Sequence, residues 1–238
     1  MTTRHHKNNA DLLADARSSL LGNLNVAVWS LLLFSGIELF INGFSQSFSF
    51  QSPFLTLAVS LAAQIVTGIF AGLFRVGLSS VFLLLQYGRE ARVGSLFVCF
   101  RENQDTSVRV RAFLTFGECL MLLPFQLLLF LSPDLFKELP LPALLITVLS
   151  FGALMVWKIT FAMADFVLLD FPELGARRIL HTARSMMRGS RLRYFLLMLR
   201  IVPLHLLGIL SFGITMLWTG SYQQAASAAF YKDLLSAE

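Results

Sequence analysis

From Phe54 to Tyr87 the chain carries a single charged side chain, Arg75, in an otherwise apolar run. That run exceeds the roughly 20 residues needed to cross the hydrocarbon core of a bilayer. Lipid offers the backbone no hydrogen-bond partners, so a segment of this kind is confined to helix. Comparable runs occur at Leu24–Ile41, Ala112–Leu131 and Ala143–Leu169. Composition points the same way: 56% of residues are hydrophobic and 14% charged, with a mean hydropathy of +0.69. Soluble domains carry about 25% charged residues. The expectation is an all-α, polytopic membrane protein of about six spans, with amphipathic helices on its cytoplasmic surface.

Residues 1–10 read as a polar, disordered tail, in which His5 and His6 are better explained as solvated than as metal ligands. No cleavable leader is expected, because the first apolar run is too long and lacks a small-residue cleavage site. Residues 11–238 form one integral membrane domain. A surface helix is predicted over 11–21, with Leu12, Leu13, Ala16 and Leu20 near one face. The spans follow at about 24–41, 54–87, 112–131, 143–169, 194–210 and 214–235, the last two divided near Ser211–Gly213. Gly68, Gly72 and Gly77 interrupt the second span as packing positions, Gly68 and Gly72 forming a GxxxG pair. Arg75 leaves two forms open there: a kinked, tilted helix, or a break and re-entry. The patch Leu96–Phe100 is expected to dip into the membrane interface.

The seam from Trp157 to Arg193 sets the topology. Asp170, Pro172 and Glu173 make a helix-start signal for a second surface helix over 173–188. Ala176, Ile179, Leu180, Ala183 and Met187 supply its apolar face, and Arg177, Arg178, Arg184 and Arg188 its lipid-facing basic face. Six spans put Arg89, Arg92, Arg101, Arg109, Arg111 and this helix in the cytosol and only Lys137 in an outer loop, as the positive-inside rule expects. Both termini are then cytoplasmic. Five spans would also satisfy the loops but would place Lys232 outside.

Ordered landmarks run along most of residues 11–235: Ala16-Arg17 with Leu21-Gly22-Asn23; Gly72, Gly77 and Arg89; Leu96-Phe97 and Phe100; Met163-Ala164, Asp170 and Pro172; Ser185, Met187 and Gly189; Gly213, Tyr222 and Phe230-Tyr231. In this series the chain resembles a bacterial multipass family catalogued as domain of unknown function nine hundred seventy-five. It is similar, more distantly, to the membrane domains of some glycerophosphoryl diester phosphodiesterases. It departs from the family pattern at Leu24, where a tryptophan is usual, at Ser221, where proline is usual, and at Asp165, Arg200 and His205. The resemblance implies a fold and a place in the bacterial inner membrane, not a reaction.

Ionisable groups inside a membrane are costly and are the default functional candidates. Here they are Glu38, Arg75, Glu118, Lys158, Asp165, Arg200 and His205. Lys158 and Asp165 are two turns apart and would share one helix face. The preferred account is structural: Arg200 pairs with Glu118 or Asp165, and a carboxylate or helix carbonyls neutralise Lys158. The competing account is a polar path for an ion or small anion. No catalytic motif is present, and Cys99 and Cys119 have no nearby histidine. The chain is therefore expected to be a non-enzymatic membrane scaffold or accessory protein with no cofactor or metal. Its expected partners are anionic lipid headgroups and another membrane protein or a second copy of itself, not nucleic acid. The alternative is a small transporter or channel that uses the intramembrane charges.

Overall fold

A computed structural model describes residues 7–45, 51–101, 104–131, 139–210 and 214–236. Every regular element among them is helical. In chain order these are α1 (Asn9–Leu20), α2 (Leu24–Ser45), α3 (Pro53–Gln86), a 3-10 turn (Val93–Phe97), α4 (Val98–Arg101) and α5 (Gln104–Leu131). They continue as α6 (Pro140–Thr160), α7 (Ala164–Asp170), α8 (Ala176–Met186), α9 (Arg191–Leu210) and α10 (Ile214–Ser236). Four stretches among the described residues are long and apolar enough to cross a membrane: Leu24–Gly43, Pro53–Gln86, Gln104–Phe130 and Pro140–Asp170. His5, His6, Lys137 and the divide at Ser211–Gly213 lie outside the described residues.

The central mast is α3, one continuous helix through Arg75 with no re-entrant break. Its two halves face different surroundings. Phe54, Leu55, Val66 and Phe70 on the first half are exposed, as suits a surface solvated by lipid tails. From Gly72 onward Leu73, Val76, Leu78, Val81, Phe82 and Leu85 are buried. There α1, α7, α10 and the 3-10 turn close around the mast.

Glycines let neighbours reach α3. A Cβ on Gly68 would strike Thr115, and one on Gly72 would strike Arg111, both on α5. One on Gly77 would collide with the Leu96 carbonyl of the 3-10 turn. Close backbone approach of this kind is how membrane helices gain contact area when lipid is as apolar as their side chains.

Several expected boundaries shift, each for a local reason. Residues 7–10, expected in the tail, are tied to the fold: the Lys7 backbone N–H donates to Asp233 Oδ1 at 3.0 Å, and α1 begins at Asn9. The third long helix begins at Gln104 rather than Ala112, so Arg109 and Arg111 are helical. Leu96 and Cys99 are buried beneath α3 instead of dipping into lipid, and Phe97 and Phe100 pack on Phe74 with centroids 5.7 and 5.2 Å away. The stretch 143–169 is broken between α6 and α7. The helix expected over 173–188 starts at Ala176 with Gly175 as its cap, not at Glu173. Pro172 biases Phe171 away from helical geometry, and Asp170 closes α7 and accepts a hydrogen bond from the Tyr87 hydroxyl at 3.0 Å.

The surface helices are anchored by protein. Leu12 and Ala16 of α1 are fully buried, and Tyr222 on α10 donates its hydroxyl proton to the Leu13 carbonyl at 3.2 Å. In α8 the face formed by Ile179, Ala183 and Met186 is buried against neighbouring helices, and Met187 beyond its end is buried too. The apolar faces expected to rest on lipid are therefore consumed by the core.

Candidate functional site: a polar interior shared by two cavities

The building block of the site is a polar ladder on α3. Thr56, Ser60, Gln64, Thr67, Arg75 and Ser79 recur at helical spacing along one face of an apolar helix. At about 1.5 Å of rise per residue the ladder covers roughly 35 Å, comparable with the ~30 Å hydrocarbon core. Thr67 returns its hydroxyl proton to the Ala63 carbonyl at 2.7 Å. Gln64 looks across to α5, where its Oε1 accepts hydrogen bonds from Gln126 Nε2 at 2.8 Å and Cys119 Sγ at 3.5 Å.

Two cavities lie against this face. The first, about 640 Å³, is bounded by the ladder from Thr56 to Arg75, by Glu38 and by polar groups of α5. The second, about 570 Å³, is bounded by Ser79, Asp165, Trp157 and the polar side of α10 at Gln223, Gln224 and Ser227. Four residues line both: Arg75, Arg111, Glu118 and Lys158. These side chains form the waist between the two spaces.

The charges around the waist are paired across helices. Arg75 Nη2 lies 3.2 Å from Glu38 Oε1, joining α3 to α2. Lys158 Nζ lies 3.9 Å from Glu118 Oε2, joining α6 to α5. Arg111 Nη2 meets Asp165 Oδ2, joining α5 to α7, with both side chains buried. Arg111 Nε and Asp165 Oδ1 are buried without a hydrogen-bond partner.

The expected partners of Arg200 are thus taken: Glu118 faces Lys158, and Asp165 faces Arg111. Arg200 itself is exposed on α9, and His205 Nδ1 is 3.2 Å from the Ile201 carbonyl of its own helix. Neither residue lines either cavity. Lys158 and Asp165 do not share one helix face, because the turn at Phe161–Met163 separates α6 from α7; they meet instead on the wall of the second cavity.

Arg111 was not among the sequence candidates, since it sits just before the apolar run and reads as a loop charge. The ladder was also missed. Its signal was available as polar residues three, four or eight apart within a span.

Outside the interior, Arg177, Arg178, Arg184 and Arg188 are exposed. Arg109, Arg177 and Arg178 border a shallow recess of about 530 Å³ at the start of α8. Burial pushes the Cys99 thiol up to about 11, making it a poor thiolate. Among the described residues no group of three His, Cys, Asp or Glu side chains is arranged to hold a metal ion.

These features define a class: an all-α protein whose four long apolar helices fit a membrane and enclose paired charges. Within that class, the chain belongs to the family described as "Protein of unknown function (DUF975)", whose model matches residues 1–238. No curated protein and no solved structure matches it.

Proposed function

We propose that this protein is a multipass transporter or channel of the bacterial inner membrane that passes a small polar solute through its helix bundle. The observation that carries the reading is the shared waist: two cavities against one face of α3 whose linings have Arg75, Arg111, Glu118 and Lys158 in common. Polar surface at bilayer depth is retained where it lines a water-filled space, because facing it to lipid would leave its groups unsatisfied. In this reading α9 and α10 are the fifth and sixth spans. Both termini are cytoplasmic, beside the arginine-rich connection at Arg89, Arg92 and Arg101.

The test is water access. In a Cys99→Ser/Cys119→Ser background, single cysteines are placed at Ser60 in the first cavity and at Gln224 in the second. A third replaces Leu145, which is exposed on α6. Membrane-impermeant thiol reagents should label S60C from one side and Q224C from the other, and leave L145C untouched. Labelling of S60C and Q224C no faster than L145C would sink the reading.

A second reading, a scaffold that grips anionic lipid, rests on the recess among Arg109, Arg177 and Arg178. Basic groups at a helix start suit a headgroup phosphate. Replacing Arg177, Arg178, Arg184 and Arg188 with Gln should deplete co-purifying phosphatidylglycerol; an unchanged lipid content would remove its support.

A further inference from the structure

Resting on the transport reading, we infer that the waist selects a small monovalent anion, with Arg111 as its central ligand and Arg75 and Lys158 beside it. The four residues common to both cavities are three cations and one carboxylate. Two of the paired carboxylates each face one cavity alone: Glu38, beside Arg75, lines only the first, and Asp165, beside Arg111, only the second. A solute between the cavities therefore meets more cationic than anionic side chains where the two linings overlap. Rings of Arg and Lys in a low-dielectric pore attract anions and repel cations.

Arg111 supplies the specific donor. Its residue is only 6% exposed, yet Nε has no hydrogen-bond partner. A buried guanidinium donor is costly to leave unmade, and this one belongs to a side chain that borders both cavities. Arg75 is better solvated than Arg111, and Lys158 is held only loosely at 3.9 Å by Glu118, so both can turn toward a passing anion. The flanking carboxylates have the opposite duty. Glu118 at the waist, with Glu38 and Asp165 on either side, prevents the three cations from becoming a trap. Conduction needs a site weak enough to release its ion.

Trp157 reports on this place, because it lines the second cavity beside Lys158. Of the chain's three tryptophans, Trp29 and Trp218 are exposed at 61% and 52%, so both can be changed to Phe without opening the core. The full chain carrying W29F and W218F, in phosphatidylcholine nanodiscs, is quenched with iodide, caesium and neutral acrylamide. Each constant is normalised to free N-acetyltryptophanamide. The normalised iodide constant should exceed that of caesium by about threefold or more. Arg75→Gln or Lys158→Gln should bring the ratio toward unity, and the charge-balanced pair Glu38→Gln/Arg75→Gln checks that a lost ratio is not misfolding.

Equal quenching by all three agents would overturn the anion assignment while leaving a wet path through the bundle. Failure of acrylamide as well would mean a dry interior, and both this inference and the transport reading would fall together.

Discussion

Arg111 and Asp165, on helices separated by the whole of α6, meet in an ion pair inside the bundle with both side chains buried. The pair ties the start of α5 to the short α7 that follows the break after Thr160. Taking two charges out of water is expensive, and removing one of them strands the other.

Asp165→Asn should therefore destabilise the protein strongly, by about 3–5 kcal/mol, the range for breaking a buried pair. The double variant Arg111→Gln/Asp165→Asn should lose clearly less than the sum of the two single variants, because no lone charge remains. Thermal unfolding in detergent reads both. Additive losses would mean that the two side chains act independently.

The three glycines on α3 should differ in tolerance. Gly77→Ala drives a methyl group into the backbone carbonyl of Leu96, which has no rotamer to escape through. At Gly68 the obstacle is the Thr115 methyl, a side-chain atom that can move. Overpacking costs typically about 1–3 kcal/mol, so Gly77→Ala should fall at or above the top of that range and Gly68→Ala near the bottom. Thermal midpoints of the two variants decide the order.

The Cys99 thiol gives a pH prediction with a definite sign. Burial holds the folded value near 11 against an ordinary value of 9.0. A raised value means the folded state keeps its proton longer. The associated stability is complete below the ordinary value and is lost as pH rises through the folded one. Alkylation of Cys99 in a Cys119→Ser background should be slow at neutral pH and accelerate only above about pH 10, since the thiolate is the nucleophile. Fast modification at pH 7 would show that Cys99 is not enclosed under α3.

Where the two ends of the chain meet, Asp233 receives the Lys7 backbone N–H at 3.0 Å and the Arg193 guanidinium at 2.7 Å. Arg193 also donates to the Lys7 carbonyl, closing a clasp of α1 onto α9 and α10. Asp233→Ala should release the N-terminal helix and raise amide hydrogen exchange over residues 9–20 by about tenfold or more, equivalent to losing ~1.4 kcal/mol of local protection. Unchanged exchange there would assign the anchoring to Leu12 and Ala16 alone.

Much of the architecture was legible in order of residues. Apolar length alone marks spans at about 24–41, 54–87, 112–131 and 143–169, because the cost of an unsatisfied backbone in lipid leaves helix as the solution, and the structure's four long apolar stretches cover these regions. Less legible was where each helix begins. Gln104 opens α5 well before its apolar stretch, since the entry turns pack on protein rather than lipid and need no uniform hydrophobicity. The start of α8 was misplaced because Asp170 and Pro172 resemble a cap, while Asp170 is engaged by Tyr87.

The candidate site divides along the same line. Glu38, Arg75, Glu118, Lys158 and Asp165 could be picked out from charge in an apolar context, and the structure sets all of them around the two cavities. Arg200 and His205 satisfied the same rule and lie elsewhere. Periodicity says that a residue is on a helix, not which neighbour that helix will turn toward.

Residue order was enough for the class: long apolar segments with few charges, an all-α chain suited to a bilayer, and a roster of costly buried ions. The pairing of those ions came from the packing of the helices. Arg111 was drawn into the interior because Gly72 leaves room for its side chain against α3 and Asp165 waits across the α6–α7 break. Whether a charge becomes a loop solvent group or the floor of a cavity depends on side chains distant in the chain. A one-dimensional pattern does not carry that information.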